Sequence, residues 1–151
     1  METRILETDR DNADFAALVA LLDDDLNGRY GALQKQYDTH NRLDSIRQAV
    51  VVYVGGQPAA CGAYKALSAD AAELKRIFVR PDHRRQGLAR LVLGRLERLA
   101  AGAGYRVARL ETGIAQREAI ALYQSAGYRP IENYGPYVGN TNSLCMEKPL
   151  R

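Results

Sequence analysis

Apolar residues run together or alternate with polar residues in seven short segments, a pattern typical of β-strands, and they recur at helical spacing in three longer ones. Turn-forming residues separate the segments. The predicted strands are residues 4–6, 50–54, 59–67, 72–79, 107–110, 128–131 and 143–148. The predicted helices follow residues 11–14, begin at Leu88, and begin at Glu118.

Each predicted helix is bounded by residues that start or stop helices. The polar residues 11–14 supply an N-cap for the first helix, which we expect to end near Gly28. The second helix runs to Ala101, with glycines beyond its end, and the third ends at Gly127. The polar segment from Tyr30 to Arg47 carries scattered aromatic residues, and we expect it to cover a substrate as a lid.

The order of these elements predicts the fold class. Strands two to four follow one another through short turns, so we expect an antiparallel meander. The second half of the chain alternates strand, helix, strand, helix, strand, which implies right-handed crossovers and at least one parallel pair. The prediction is an α+β fold with a mixed, mostly antiparallel sheet and helices on both faces, in a single domain of residues 1–151.

Composition narrows the class of protein. The apolar share of 46% and the charged share of 26% are those of a soluble globular protein. No apolar run approaches the ~20 residues of a membrane-spanning helix, and the N-terminus lacks a signal-peptide pattern, so we expect a cytoplasmic protein with no membrane partner. Cys61 and Cys145 lie in apolar segments, where we expect reduced core residues and no metal site.

The net charge of +3 is modest, but six basic residues crowd around Gly87. Such a cluster suits a small polyanion better than a duplex with its many spaced phosphates, so we expect no nucleic-acid partner. A small nucleic-acid-binding module remains an alternative. The six residues are Arg76, Arg80, His83, Arg84, Arg85 and Arg90.

The segment Arg84-Arg85-Gln86-Gly87-Leu88-Ala89 joins a predicted strand to a predicted helix. Backbone N–H groups and the positive end of the helix dipole converge at such a junction and bind anions. The segment lacks the Gly-Lys-Ser/Thr ending of a P-loop and the repeated glycines of a dinucleotide fingerprint. The alternative is a solvated basic loop, which is unfavourable at this end of a helix unless an anion binds.

Two motifs carry a resemblance to a known family. Residues 79–89, Val-Arg-Pro-Asp-His-Arg-Arg-Gln-Gly-Leu-Ala, resemble the acetyl-CoA-binding motif A of the GNAT superfamily of N-acetyltransferases. Residues 119–128 resemble its motif B, in which a helix ends in Leu-Tyr, three residues, Gly and an aromatic. The resemblance spans the whole chain and implies an acetyl-CoA-dependent N-acetyltransferase, with a sheet of about seven strands splayed between the fourth and the fifth.

The resemblance also implies which residues bind acetyl-CoA. Loop amides would bind the pyrophosphate, and the main chain of the preceding strand would pair with the pantetheine arm like an added strand. Gln116 stands where family members often carry Asn. The implied residues are Ile77, Phe78, Val79, Arg84, Arg85, Gln86, Gly87, Leu88, Ala89, Arg90 and Gln116.

Acetyl transfer to an amine needs an acceptor for the proton of the substrate ammonium, whose pKa is ~10.4 for a lysine-type amine, and a donor for the departing thiolate. Tyr123 matches the motif B tyrosine that lies beside the cofactor sulfur, which implies a general acid; the alternative is a core aromatic. Glu73 resembles the glutamate that several family members use as general base. Glu111, a water molecule and a purely structural Glu73 remain alternatives.

Tyrosines gather in the two segments that we expect to flank the acceptor site, and basic residues near them favour a substrate with a carboxylate. The acceptor class stays open between a primary amine of a small molecule, an amino acid and a peptide. A non-catalytic acyl-CoA sensor is the alternative, and the chain is expected to be a monomer or a homodimer. The predicted substrate-binding residues are Tyr30, Tyr37, Lys75, Arg76, Glu111, Tyr134 and Tyr137.

Overall fold

The computed structural model describes residues 2–30 and 45–150, with the backbone alone for 26–30. Seven strands form one sheet in the order β1-β2-β3-β4-β5-β7-β6. The strands are β1 Thr3–Thr8, β2 Ile46–Val54, β3 Gln57–Ala66, β4 Ala71–Val79, β5 Val107–Gly113, β6 Arg129–Ile131 and β7 Ser143–Pro149. The helices are α1 Ala13–Tyr30, α2 Leu88–Gly102 and α3 Arg117–Ser125.

Helix α1 starts where the sequence predicted but runs further. The Asn12 side-chain oxygen accepts a hydrogen bond from the backbone N–H of Phe15 at 2.9 Å, which is the expected N-cap. The prediction that Gly28 ends this helix is wrong, because α1 continues to Tyr30. A glycine costs a helix only about 1 kcal/mol relative to alanine, and the packed face of α1 offsets that cost.

The sheet opens between β4 and β5. Every other neighbouring pair is antiparallel, whereas these two strands are parallel and pair only where Ala71, Ala72 and Glu73 face residues 107–109. Beyond Glu73 the register with β5 ends, although β4 continues to Val79. The predicted mixed sheet, splayed between its fourth and fifth strands, is thereby confirmed.

Helices cover both faces of the sheet, as predicted. On one face Phe15 and Leu18 of α1 pack against β2 and β3. On the other face Val92 and Leu96 of α2 pack in the larger cluster. No helix within residues 2–30 and 45–150 is long and apolar enough to cross a bilayer.

Strand β4 carries a bulge at Arg76. Lys75 pairs with Ala63 and Phe78 pairs with Cys61, so two residues of β4 oppose the single residue Gly62. The side-chain alternation shifts by one position there. Phe78 therefore packs on the α1 face.

Gly62 lets α2 approach the sheet closely. A Cβ atom at this position would lie 2.5 Å from Val92 Cγ1 and 2.9 Å from both Ile77 Cδ1 and Leu96 Cδ1. Gly94 in α2 is different, since a Cβ atom there would meet nothing within 4 Å. The two glycines therefore provide a matched pair for measuring this contact.

We expect Gly62→Ala to lower the free energy of unfolding by about 1–3 kcal/mol, because the added methyl group overpacks the interface between α2 and β3. Gly94→Ala is expected to raise it by about 0.5–1 kcal/mol, because alanine favours the helix. Urea denaturation followed by circular dichroism measures both. Equal stability of Gly62→Ala and the wild type would contradict the close packing.

Candidate active site

The loop between β4 and α2 has the geometry of an anion site. Arg85 and Gly87 both adopt left-handed backbone conformations, with φ of 65° and 78°, and α2 begins at the next residue, Leu88. Gly87 is the N-cap and supplies no side-chain hydrogen bond to the first turn. The backbone N–H groups of the first turn of α2 therefore receive no side-chain hydrogen bond from the N-cap position, and they face the loop.

The loop has open space beside its backbone. A Cβ atom at Gly87 would meet no atom within 4 Å, so the space beside the backbone is open to a ligand. Arg84 ties the loop to the end of β4, because its Nε donates a hydrogen bond to the Val79 carbonyl oxygen at 3.0 Å. Arg90, in the first turn of α2, donates to Ser125 Oγ at 2.6 Å and so links α2 to the end of α3.

The strand edge beside the loop is suited to an extended ligand. Ile77, Phe78 and Val79 lie in β4 beyond the last residue paired with β5. Their edge towards β5 faces the gap between the strands, where an extended ligand can add hydrogen bonds in the manner of a strand. Gln116 lies on the β5 side of the gap, at the N-cap of α3.

Glu73 is the centre of a buried polar cluster below this gap. Its side chain is only 3% exposed. Tyr134 donates a hydrogen bond to Glu73 Oε2 at 2.6 Å, and the Nζ atoms of Lys65 and Lys75 both lie 3.6 Å from Oε1. Both carboxylate oxygens therefore have partners within the protein.

Lys75 connects this cluster to the loop before β7. Its Nζ donates to the Tyr137 hydroxyl at 3.0 Å. Burial lowers the pKa of Lys75, while the nearby charge of Glu73 opposes that shift. Tyr134 and Tyr137 pack edge to face, with ring centroids 5.7 Å apart. Tyr134 and Tyr137 thus form a tyrosine wall that is hydrogen-bonded to β4 through Glu73 and Lys75.

Glu111 is a second carboxylate, on β5 across the gap, and is half-buried. Burial raises its pKa, although a hydrogen bond from Ser143 Oγ at 2.7 Å and the charge of Lys75 act in the opposite direction. Its environment differs from that of Glu73, which accepts a hydrogen bond from Tyr134 and has two ammonium groups 3.6 Å from one of its oxygens.

Tyr123 lies in α3 close to Glu111. Burial, and after it the charge of Glu111, raises the pKa of the Tyr123 hydroxyl to about 12. The ring packs edge to face on Tyr128, with 6.1 Å between centroids. The structure therefore brings a protonated phenol close to a carboxyl group with a raised pKa.

Arg76 extends from the bulge towards α1 rather than into open solvent. Its side chain is 9% exposed, and its guanidinium forms an ion pair with Asp23. Lys75 likewise has protein partners. These internal contacts weaken the expectation that Lys75 and Arg76 bind a substrate carboxylate.

The structure thus brings together the predicted Glu73, Glu111, Lys75, Tyr134 and Tyr137 in one cluster, in which Glu73, Lys75 and Tyr137 are buried. Tyr37 and the side chain of Tyr30 lie outside the described residues, as does most of the predicted lid. Cys61 and Cys145 are free and buried, as expected.

Sequence reasoning missed three residues of this site, namely Lys65, Ser143 and Asp23. Each acts through a contact between distant parts of the chain, at separations of 8, 32 and 53 residues from Glu73, Glu111 and Arg76 respectively. Nothing in the local pattern marks them: Asp23, for example, is one of three consecutive aspartates.

Comparisons with known proteins agree on one family. The family model described as Acetyltransferase (GNAT) family matches residues 15–128. The structure aligns with one from Klebsiella pneumoniae that bears the provisional designation acyl-CoA N-acyltransferase, with a TM-score of 0.80 and 33% identity over 99% of this chain and 98% of the other. A GNAT family acetyltransferase from Elizabethkingia anophelis with acetyl-CoA bound shares the fold, with a TM-score of 0.71 and 20% identity over 98% of each chain.

Among curated proteins, an "IAA acetyltransferase" of Azospirillum brasilense is 44% identical over 78 residues. The match spans 52% of this chain and 51% of that relative, about half of either protein. The likeness therefore supports the family and leaves the acceptor substrate open.

Proposed function

Because the chain belongs to the GNAT acetyltransferase family, we propose that it is an acetyl-CoA-dependent N-acetyltransferase that acts on a primary amine. The family membership confirms the predicted resemblance and agrees with acetyl-CoA as the co-substrate. The observation that carries the proposal is the junction of two features at one gap in the sheet. A helix N-terminus without a side-chain cap lies at one end of the gap, and buried Glu73, half-buried Glu111 and the buried phenol of Tyr123 lie near it.

Acetyl-CoA supplies an acetyl group activated as a thioester. The loop amides and the α2 dipole are proposed to bind its pyrophosphate, and the free edge of β4 to align its pantetheine arm. A backbone N–H near Phe78 or Val79 would polarise the reacting carbonyl. The proposed donor-binding residues are Ile77, Phe78, Val79, Arg84, Arg85, Gln86, Gly87, Leu88, Ala89, Arg90 and Gln116.

We propose Tyr123 as the general acid that gives its proton to the departing thiolate. Its pKa of about 12 keeps the hydroxyl protonated at neutral pH. A free thiol has a pKa of ~8.5, below that of this phenol, so the hydroxyl would stabilise the departing thiolate first as a hydrogen-bond donor. The charge of Glu111 raises the pKa of Tyr123 and so opposes the transfer, and this effect is lost once Glu111 takes a proton.

The surroundings of the two carboxylates favour Glu111 over Glu73 as general base. Glu73 accepts a hydrogen bond from Tyr134 and lies near two ammonium groups, so its negative charge is already stabilised. Burial raises the pKa of Glu111 towards the range in which a base accepts protons at neutral pH. We therefore propose that Glu111, directly or through water, takes the ammonium proton, and that Glu73 holds the tyrosine wall in place.

Glu111→Gln is expected to lower kcat/KM about 10- to 10²-fold near pH 7, because the amide accepts no proton. The raised pKa of Glu111 means that wild-type activity falls as pH drops through that value, since the base is then protonated. In Glu111→Gln this fall should move up to the pKa of the amine, because only the free amine then reacts. The deficit should shrink as pH rises towards the pKa of the amine, where the free amine is present without help.

Glu73→Gln is the matched control for this pH profile. This variant keeps the size of the side chain, and its activity should still fall at the same low pH as that of the wild type. Its KM for the amine should change, because the hydrogen bond that holds Tyr134 is weakened. If the fall in activity moved to the pKa of the amine in Glu73→Gln and stayed at its wild-type pH in Glu111→Gln, Glu73 would be the base.

The acceptor is proposed to be a small molecule, an amino acid or a peptide with a primary amine, held against the wall of Tyr134 and Tyr137. A tyrosine wall offers apolar faces to such a ligand. The single-domain organisation, the cytoplasmic location, and the monomeric or homodimeric state remain predictions.

A panel of amines tests the proposed function directly. Release of free CoA from acetyl-CoA is measured with amino acids, short peptides, aromatic amines and polyamines, and each product is confirmed by mass spectrometry. We expect amine-dependent release with at least one class. Tight binding of acetyl-CoA with no turnover on any of them would favour the acyl-CoA sensor, and absence of binding would overturn the proposal.

A further inference from the structure

Arg76 occupies an unusual backbone position between the buried cluster and the proposed pantetheine-binding edge. Its φ of 60° lies in the left-handed region, which a long side chain rarely adopts. Such conformations persist only where the surrounding structure holds them. The residues that follow, Ile77 to Val79, form the edge of β4 that faces the gap.

Contacts from different parts of the chain hold this residue. The guanidinium is paired with Asp23 of α1, and the arginine side chain is 9% exposed. The Cys61 thiol donates to the Arg76 carbonyl oxygen at 3.4 Å. Of these contacts, the ion pair joins the bulge to a separate helix, 53 residues away in sequence.

The bulge decides how the edge of β4 meets a ligand. One additional residue at a bulge reverses which backbone groups point to each side of the strand from there onward. Relaxation of Arg76 to an ordinary strand conformation would therefore turn the N–H and C=O groups of residues 77–79 away from their present directions. The side chain of Phe78 would also leave the α1 face, where it is buried.

We propose that Asp23 is a positioning residue which, through its ion pair with Arg76, holds the β4 bulge in the conformation that binds the acyl donor. The inference rests on the proposed function, because it takes the edge of β4 as the binding site of the pantetheine arm. Asp23 itself acts through Arg76. Without the carboxylate, the buried guanidinium loses a charged partner and the left-handed conformation loses one of its supports.

The variant Asp23→Asn tests this with CoA as the probe, so no knowledge of the acceptor amine is needed. We expect the Kd of CoA, measured by calorimetry, to rise about tenfold, in line with the loss of a charged hydrogen bond. Asp24→Asn is the matched control, since it makes the same charge change at the next residue, which is exposed. Its Kd should equal that of the wild type.

A second variant separates positioning from a general loss of stability. Asparagine adopts the left-handed conformation more readily than other non-glycine residues. Arg76→Asn in the Asp23→Asn background should therefore support the bulge by itself and bring the Kd back to within about threefold of wild type. Circular dichroism confirms that each variant is folded.

Equal affinities of Asp23→Asn and Asp24→Asn would overturn the inference. So would a double variant as weak as Asp23→Asn alone, because the bulge conformation would then not explain the loss. Failure of the wild type itself to bind CoA is a different result, since it would reject the proposed function.

Discussion

Gly87→Glu is expected to abolish binding of acetyl-CoA, with a Kd at least 10³-fold above that of the wild type. The glycine lies at the start of α2, where a Cβ atom would meet no protein atom within 4 Å, so the new side chain has room to project beside the loop. There it would bring a carboxylate to the position proposed for the pyrophosphate. Repulsion between anions and the loss of close backbone approach act in the same direction.

Calorimetry with CoA measures this effect, and Gly104→Glu is its control. Gly104 also has a positive φ, 100°, and a Cβ atom there would meet nothing within 4 Å, but it lies beyond the far end of α2. Both variants introduce the same charge and a similar backbone strain. Unchanged CoA affinity in a folded Gly87→Glu protein would reject the anion site and the function proposed from it.

Tyr123→Phe is expected to lower kcat by 10²-fold or more under conditions in which chemistry limits the rate, because positioned proton transfer contributes 10²–10⁴-fold. The Kd of acetyl-CoA should barely change, since the ring remains and only the hydroxyl is removed. The pKa of about 12 for Tyr123 places its own deprotonation well above neutral pH. The wild-type rate should therefore not fall between pH 7 and 9 through loss of this proton.

Tyr128→Phe is the control for the loss of a phenol. Its ring packs on Tyr123, but its hydroxyl donates to Glu97 at 2.9 Å on a different element. We expect a loss of about 0.5–1.5 kcal/mol in stability from that hydrogen bond and little change in kcat. Wild-type turnover in Tyr123→Phe would show that the thiolate leaves without help from this residue.

The elements were predictable because their signals are local. Hydrophobic periodicity and turn residues placed α2, α3 and the seven strands with small errors at their ends. The end of α1 was the exception, since one glycine is a weak stop within a helix whose apolar face is packed. The loop proposed to bind an anion was equally predictable as a strand-to-helix junction, because that feature depends on consecutive residues.

The catalytic assignment was not predictable to the same degree. Glu73 and Glu111 are both strand glutamates, and sequence alone left the base open between them and water. Their environments differ because Tyr134 and Lys65 reach Glu73, whereas Ser143 reaches Glu111. Such contacts depend on which strands lie side by side and in what register.

The sequence by itself determined the family, the order of the elements and the position of the loop proposed to bind the donor, because these depend on short-range patterns that a single segment carries. Only the tertiary structure decided that two ammonium groups lie close to Glu73 and that Asp23 holds Arg76. It also decided that Lys75 and Arg76 have partners within the protein. The physical reason is that charges buried in a fold take the partners that the sheet register and helix packing bring to them, and that proximity is not encoded in local spacing.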